Sequence, residues 1–221
     1  LLMKSLIISP HPDDEVLGAG GTLFKRKKQK NNLYWIIVTK IKPNKSNKKT
    51  IARRSLEIIK IAKLFGFKKT FQYNFYTTEL NNNSKKKLIN EFTKTFKEIK
   101  PNEIFVPHFS DVHSDHQVIS DVISTCTKNF RFPFIKKILA YEVLSETDFN
   151  LNRKKFFFPN HYEDISNFLS KKKNAMKIYK SELKNFPFPR SIKSIDALAK
   201  YRGSQIGKKA AESFELLKNI E

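Results

Sequence analysis

Several things are scarce in this 221-residue chain. It has one cysteine, Cys126, which excludes an internal disulfide and agrees with a reducing compartment. No run approaches the ~20 apolar residues of a membrane span, so no transmembrane segment is expected. The apolar stretch from Leu1 to Ile8 is short and no cleavage site follows it, so no signal peptide is expected either. A cytoplasmic location follows as an expectation. Acidic residues are few: 21 Asp and Glu face 43 Lys and Arg, a net charge of +22. The basic runs, such as Lys25-Arg26-Lys27-Lys28 and Lys171-Lys172-Lys173, are scattered along the chain. No zinc-finger or RNA-binding aromatic pattern accompanies them, so no specific nucleic-acid partner is expected. Solvated helix faces, or coding bias toward Lys and Asn, account for most of the charge. Glycine is scarce too, and half of the six sit in Gly18-Ala19-Gly20-Gly21. Their spacing is wrong for a dinucleotide fingerprint.

What is present is a core-forming composition, 39% hydrophobic with 20 Phe, enough for one α/β domain over 1–221. Apolar runs alternate with amphipathic ones, without an internal repeat. The strands read are 6–8, 33–38, 71–75, 104–106 and 135–143. The helices read are 51–65 closed by Gly66, 84–99 with Ser84 as N-cap, 165–183 and 194–201, and a final helix in 203–217. Phe156-Phe157-Phe158 reads as a core strand or an apolar lid, and Cys126 as a buried structural thiol. Strand-helix alternation predicts a Rossmann-like, mainly parallel sheet flanked by helices.

Two segments carry chemistry. In the first, Ile7-Ile8 leads to Ser9-Pro10-His11-Pro12-Asp13-Asp14-Glu15. Two prolines stop the strand and a helix begins near Asp14. Carboxylates crowded beyond a strand's C-terminus need a positive partner, and a divalent metal is the simplest. His11 and Asp14 are spaced to ligate one ion, which leaves Asp13 free as a base. The alternative is a solvated turn with Asp14 capping the helix. The second segment, Asp111-Val112-His113-Ser114-Asp115-His116, follows Ile104-Phe105-Val106-Pro107 in the same strand-turn-helix pattern. His116 then completes a His/Asp/His set with an open position, the pattern of catalytic rather than structural zinc. His113 remains free for proton transfer.

At these residues the chain resembles the PIG-L/LmbE-type zinc-dependent de-N-acetylases. That family's HPDDE motif matches His11 to Glu15, and its HxDH motif matches His113 to His116. The leading aspartate of the longer DxHxDH form is Asp111. Weaker likeness runs through Arg54 and Glu57, Tyr141-Glu142, Ser145-Glu146-Thr147, Arg202-Gly203 and Ala211-Glu212-Ser213-Phe214, the last resembling the family's C-terminal helix. The chain departs from the family after the second strand, where Ile41-Lys42-Pro43-Asn44 stands.

The resemblance implies a metal-dependent hydrolase that removes acetyl from an N-acetylglucosamine unit carried on a small aglycone, lipid or nucleotide. Zn2+ is the implied cofactor, with Fe2+ as the alternative in vivo. Asp13 is the expected base, and His113, as imidazolium, is expected to stabilise the developing oxyanion or to protonate the departing amine. Asp115 is expected to hold His113 in its tautomer and raise its pKa. Arg54 is implied to reach sugar hydroxyls, against the alternative of a surface pair with Glu57. Glu142 is implied to lie near the pocket, against the alternative of holding a lysine. A homo-oligomer is an open possibility. Two rivals stand beside this reading: a metal-dependent hydrolase of another amide or ester, and a basic nucleic-acid-binding protein with a structural metal.

Overall fold

The computed structural model describes residues 2–152 and 156–221; Leu1 lies outside them. One seven-stranded sheet runs in the order β3-β2-β1-β4-β5-β7-β6. The strands are β1 (Lys4–Ser9), β2 (Asn32–Lys40), β3 (Lys69–Tyr76), β4 (Glu103–Pro107), β5 (Lys137–Tyr141), β6 (His161–Asp164) and β7 (Ala211–Asn219). β1 to β5 are parallel, while β7 is antiparallel to both β5 and β6. The helices are α1 (Asp14–Lys28), α2 (Lys48–Phe65), α3 (Lys85–Ile99), α4 (Ser114–Cys126), α5 (Leu169–Met176) and α6 (Ile192–Ser204). The expected α/β architecture is therefore the observed one.

Side chains alternate across the sheet and fill a core on each face. Ile7 packs into the layer that includes α1, α2 and α5, with Trp35, Phe65 and Met176. Leu6 and Ile8 pack into the opposite layer, with Phe92 and Phe96 of α3 and Ile119 of α4. Cys126 closes α4 and is buried there as expected. Among the described residues, no helix is long and apolar enough to cross a membrane.

The glycine cluster lets α1 lie close to the sheet. A Cβ at Gly18 would sit 2.2 Å from the Tyr141 ring, and one at Gly21 would sit 2.7 Å from Ile165. α1 is also kinked at Ala19. Just past the kink, the Gly21 and Thr22 N–H groups donate to the Glu212 carboxylate at 2.8 and 2.7 Å.

Four expectations fail locally. The segment 165–183 forms only the short helix α5. Ser84 makes no cap for α3; its backbone is already helical, and its hydroxyl instead accepts from the Asn81 N–H. Phe156 and Phe158 form neither strand nor core and are 50% and 65% exposed. Most consequentially, 211–219 is strand β7 and not a closing helix. Its residues fill the slot between β5 and β6, and sheet pairing overrides their helical propensity.

Candidate metal centre

The sheet order reverses direction between β1 and β4, whose strands pair directly at Leu6 and Ile104. Chain leaving one strand turns away from chain leaving the other, which opens a crevice at their C-terminal ends. The segment 10–14 enters this crevice from β1, and 108–116 enters from β4.

Three side-chain atoms converge there. His11 Nδ1 lies 3.6 Å from Asp14 Oδ2, which lies 3.4 Å from His116 Nε2, which lies 3.3 Å from His11 Nδ1. A tetrahedron with zinc-like arms of about 2.0–2.1 Å has edges of ~3.3–3.4 Å, so this triangle is one tetrahedral face. Each ring nitrogen turned away from the triangle meets a carboxylate. His116 Nδ1 is 2.8 Å from Asp111 Oδ2, and His11 Nε2 is 3.0 Å from Asp115 Oδ2. Such outer contacts set the tautomer and aim of a metal-bound histidine. Asp111 is itself fixed by the Thr147 hydroxyl at 2.6 Å, and Asp115 by the Thr78 N–H at 2.8 Å.

Electrostatics also favour a cation here. Burial works against a charged His116, yet the Asp14 and Asp111 carboxylates on its two nitrogens hold its pKa well above the usual imidazole value. Burial likewise pushes Asp14 up, but His116 and His11 outweigh it and bring Asp14 down to about 2. A site that retains a proton against burial suits a divalent ion, and the residues present fit one.

Asp13 stands beside the triangle and outside it. Its backbone, at φ 135° and ψ −25°, occupies a region that non-glycine residues rarely adopt, typically at ~1–3 kcal/mol. The Asp13 N–H donates to Glu15 Oε2 at 3.1 Å, and Glu15 Oε1 accepts from the Tyr179 hydroxyl at 2.6 Å. Glu15 thus braces the strained turn; burial, countered in part by that hydroxyl, pushes its pKa up to about 7. Asp13 Oδ2 is buried and accepts no hydrogen bond. Its nearest cation is Arg190, at 3.7 Å. Burial first, and then the Asp14 charge, raise the Asp13 pKa well above the carboxylate range.

His113 sits at the N-terminus of α4, where its Nδ1 accepts the Asp115 N–H at 3.1 Å. A neutral ring so engaged carries its proton on Nε2. Burial, then the neighbouring His11 and His116 rings, lower its pKa to about 4. These surroundings favour the neutral ring over an imidazolium. The Asp115 carboxylate bonds His11, and it lies 4.0 Å from His113 Nδ1. The expected Asp115–His113 support is therefore replaced by Asp115–His11 support.

The cavity above the centre has a volume of about 520 Å³. His113, Asp13, Glu146, Glu182, Arg54 and Arg190 line its polar side, and Ile41, Pro43, Ile51 and Ile58 its apolar side. The loop at 41–44 that departs from the family pattern thus supplies an apolar wall. Arg54 does line the cavity. It donates to the Pro12 carbonyl at 2.9 Å, pairs with Glu182, and lies 3.6 Å from Glu57. Glu142 does not face this cavity. Arg202 grips both its oxygens, at 2.8 and 2.7 Å, and Ser213 bonds it as well. The substrate-binding role implied for Glu142 is not supported by this placement. Sequence reasoning missed Arg190, Glu182 and Tyr179, and assigned no task to Glu15. All but Glu15 come from the segment 179–190, which carries no motif.

Fold and centre together define an α/β protein with a His/Asp/His metal-type site at the switch point of its sheet. The family model of GlcNAc-PI de-N-acetylases (PIG-L) matches residues 6–127, more than half of the chain, and the chain belongs to this family. Solved structures agree on the fold. The N,N'-diacetylchitobiose deacetylase of Pyrococcus horikoshii is 23% identical, with a TM-score of 0.76 over 97% of this chain and 84% of that one. A deacetylase of the teicoplanin biosynthesis pathway is 16% identical, with a TM-score of 0.76 over 99% and 100%. The 4-carboxy-2-hydroxymuconate hydratase GalB of Pseudomonas putida KT2440 is 15% identical, with a TM-score of 0.75 over 100% and 98%.

Proposed function

We propose that this protein is a metal-dependent N-deacetylase that hydrolyses the acetamide of an N-acetylglucosamine-type amino sugar to the free amine and acetate. The observation that carries the reading is Asp13 Oδ2, buried and without a hydrogen-bond donor, beside a donor triangle of metal-site dimensions. Membership of a de-N-acetylase family supports the reaction class, and the names of two structural neighbours support an amino-sugar or glycoconjugate substrate.

His11, Asp14 and His116 would hold the metal. When bound, the ion supplies Lewis-acid polarisation and makes water more acidic. Asp13 accepts the proton of the attacking water as the oxygen adds to the acetamide carbon. The neutral His113 Nε2–H donates a hydrogen bond to the carbonyl oxygen as it gains negative charge. Asp13 then returns its proton to the amine nitrogen as the C–N bond breaks. This assignment needs no imidazolium, which the surroundings of His113 disfavour. Arg54 and Glu182 stand where they can meet sugar hydroxyls, and the apolar wall faces the aglycone. The physiological ion is zinc or ferrous iron. That a teicoplanin deacetylase exists in a zinc-inhibited form is reason to test each ion separately.

A second reading has one specific observation behind it, since a hydratase shares this fold. The test is incubation of protein loaded with zinc or iron with N-acetylglucosaminyl compounds and, separately, with unsaturated hydroxy acids. Equimolar acetate and amine are expected from the first set. Water addition to the second set, with no acetate from the first, would replace the deacetylase reading with a hydratase.

A further inference from the structure

The outward side of α2 combines exposed aliphatic side chains with positive charge. Leu56 and Ile59 stand 58% and 62% exposed on it, and Leu64 follows at 36%. Lys49, Arg53, Lys60 and Lys63 are exposed around them. The helix has one acidic residue, Glu57, and it is buried on the inward side, 3.6 Å from Arg54 and 3.9 Å from Arg53. The exposed face therefore presents aliphatic side chains and positive charge, with no carboxylate.

We propose that this face of α2 docks the protein on an anionic phospholipid surface. A helix with bulky aliphatics on one strip and Lys and Arg beside it lies flat at a bilayer interface. The aliphatics enter the acyl boundary and the cations meet the headgroups. The face continues into a groove beyond the C-terminal end of the helix. Phe24, Leu64, Phe168 and Ile178 line that groove, and Lys27, Lys28 and Lys171 rim it. Lys27 Nζ donates to the Leu64 carbonyl at 2.8 Å and ties the two parts together. A nucleic acid would meet the cations but leave Leu56 and Ile59 in water, so lipid fits the whole face better. The opposite side of the same helix carries Ile51, Arg54 and Ile58 into the catalytic cavity. Docking by α2 would thus hold the cavity wall close to the lipid surface. The inference is independent of the reaction assigned above, because binding is read without turnover.

The test is cosedimentation of the full chain with vesicles of phosphatidylcholine alone and of phosphatidylcholine with phosphatidylglycerol. Binding to the anionic vesicles only is expected. Leu56→Asp with Ile59→Asp should reduce the bound fraction at least about tenfold, since binding scales with apolar area buried. Both side chains already face water, so the thermal melt should stay unchanged. Lys60→Glu with Lys63→Glu should also release the protein. Lys86→Glu with Lys87→Glu, an equal charge change at exposed positions of α3, should not. The proposal is overturned by any of three results: intact protein that ignores anionic vesicles, equal losses in the α2 and α3 charge variants, or a duplex oligonucleotide that binds more tightly than the vesicles at the same salt.

Discussion

Helix α1 carries a buried cluster of charges at each end, and the two are built on opposite rules. At its C-terminal end Arg26 donates to both oxygens of Glu103, each at 2.9 Å, and to Glu163. Lys25 takes the other oxygen of Glu163, and the Ser5 hydroxyl adds a bond to Glu103. Two cations meet two carboxylates. At its N-terminal end Asp13, Asp14, Glu15, Asp111 and Asp115 gather around two histidines, with Arg190 as the nearest permanent cation to Asp13. One carboxylate oxygen there has no hydrogen-bond partner. Buried charge is costly unless paired. The saturated cluster is therefore self-sufficient structure, while the unsaturated one is poised for a cation and for a proton.

Removing a vertex of the donor triangle should break this contrast most completely. His116→Ala is expected to take bound metal well below one per chain and deacetylation to background, read by elemental analysis and acetate release. Full metal and normal turnover in that variant would reassign the centre.

The next largest effect should come from Asp13→Asn, which keeps the triangle and removes the base. Metal content should stay near that of the intact protein while kcat falls ~10²–10⁴-fold, the usual worth of a general acid–base group. Loss of metal instead would place Asp13 among the ligands.

The saturated cluster should respond in stability alone. Glu163→Gln leaves Arg26 and Lys25 without one carboxylate, and breaking a buried pair typically costs ~3–5 kcal/mol. At ~2–4 °C per kcal/mol for a chain of this size, the melting temperature should fall by roughly 6–20 °C with metal content unchanged. The pH dependence follows from the shift. Burial raises the Glu163 pKa, but contacts to His161, Arg26 and Lys25 reverse this and depress it below its ordinary 4.5. Its contribution is thus full above 4.5 and is lost as pH falls toward the folded value. Thermal melts at pH 7 and pH 3 should differ less in Glu163→Gln than in the intact protein. An unchanged difference would show that this carboxylate is not part of the acid limb.

Much of the N-terminal cluster was legible in the chain. Prolines after Ile8 and Val106 marked strand ends, and the His and Asp residues after them have few structural reasons to recur at matching places. Their outer partners were less legible. Asp111 was visible as a motif residue, but that it serves His116, while Asp115 serves His11, depends on how α4 is rotated against β1. Arg190, Glu182 and Tyr179 were not readable, because the segment holding them carries no motif and reaches the site only by packing. β7 was misread for a related reason. Ala211 to Leu217 is rich in helix formers, and only the slot between β5 and β6 makes it a strand.

Most of the alternation of strands and helices, the donor types of the candidate metal centre and the place of Asp13 beside them can be read locally in the chain. Those follow from local rules: proline stops a strand, apolar periodicity sets an element, and side-chain chemistry selects a ligand. Which carboxylate braces which imidazole, the pairing of Glu142 with Arg202, and the different saturation of the two clusters of α1 came from the packing of the fold. Each of these is a contact between residues far apart in the chain, so it depends on sheet order and helix rotation, which no local pattern encodes.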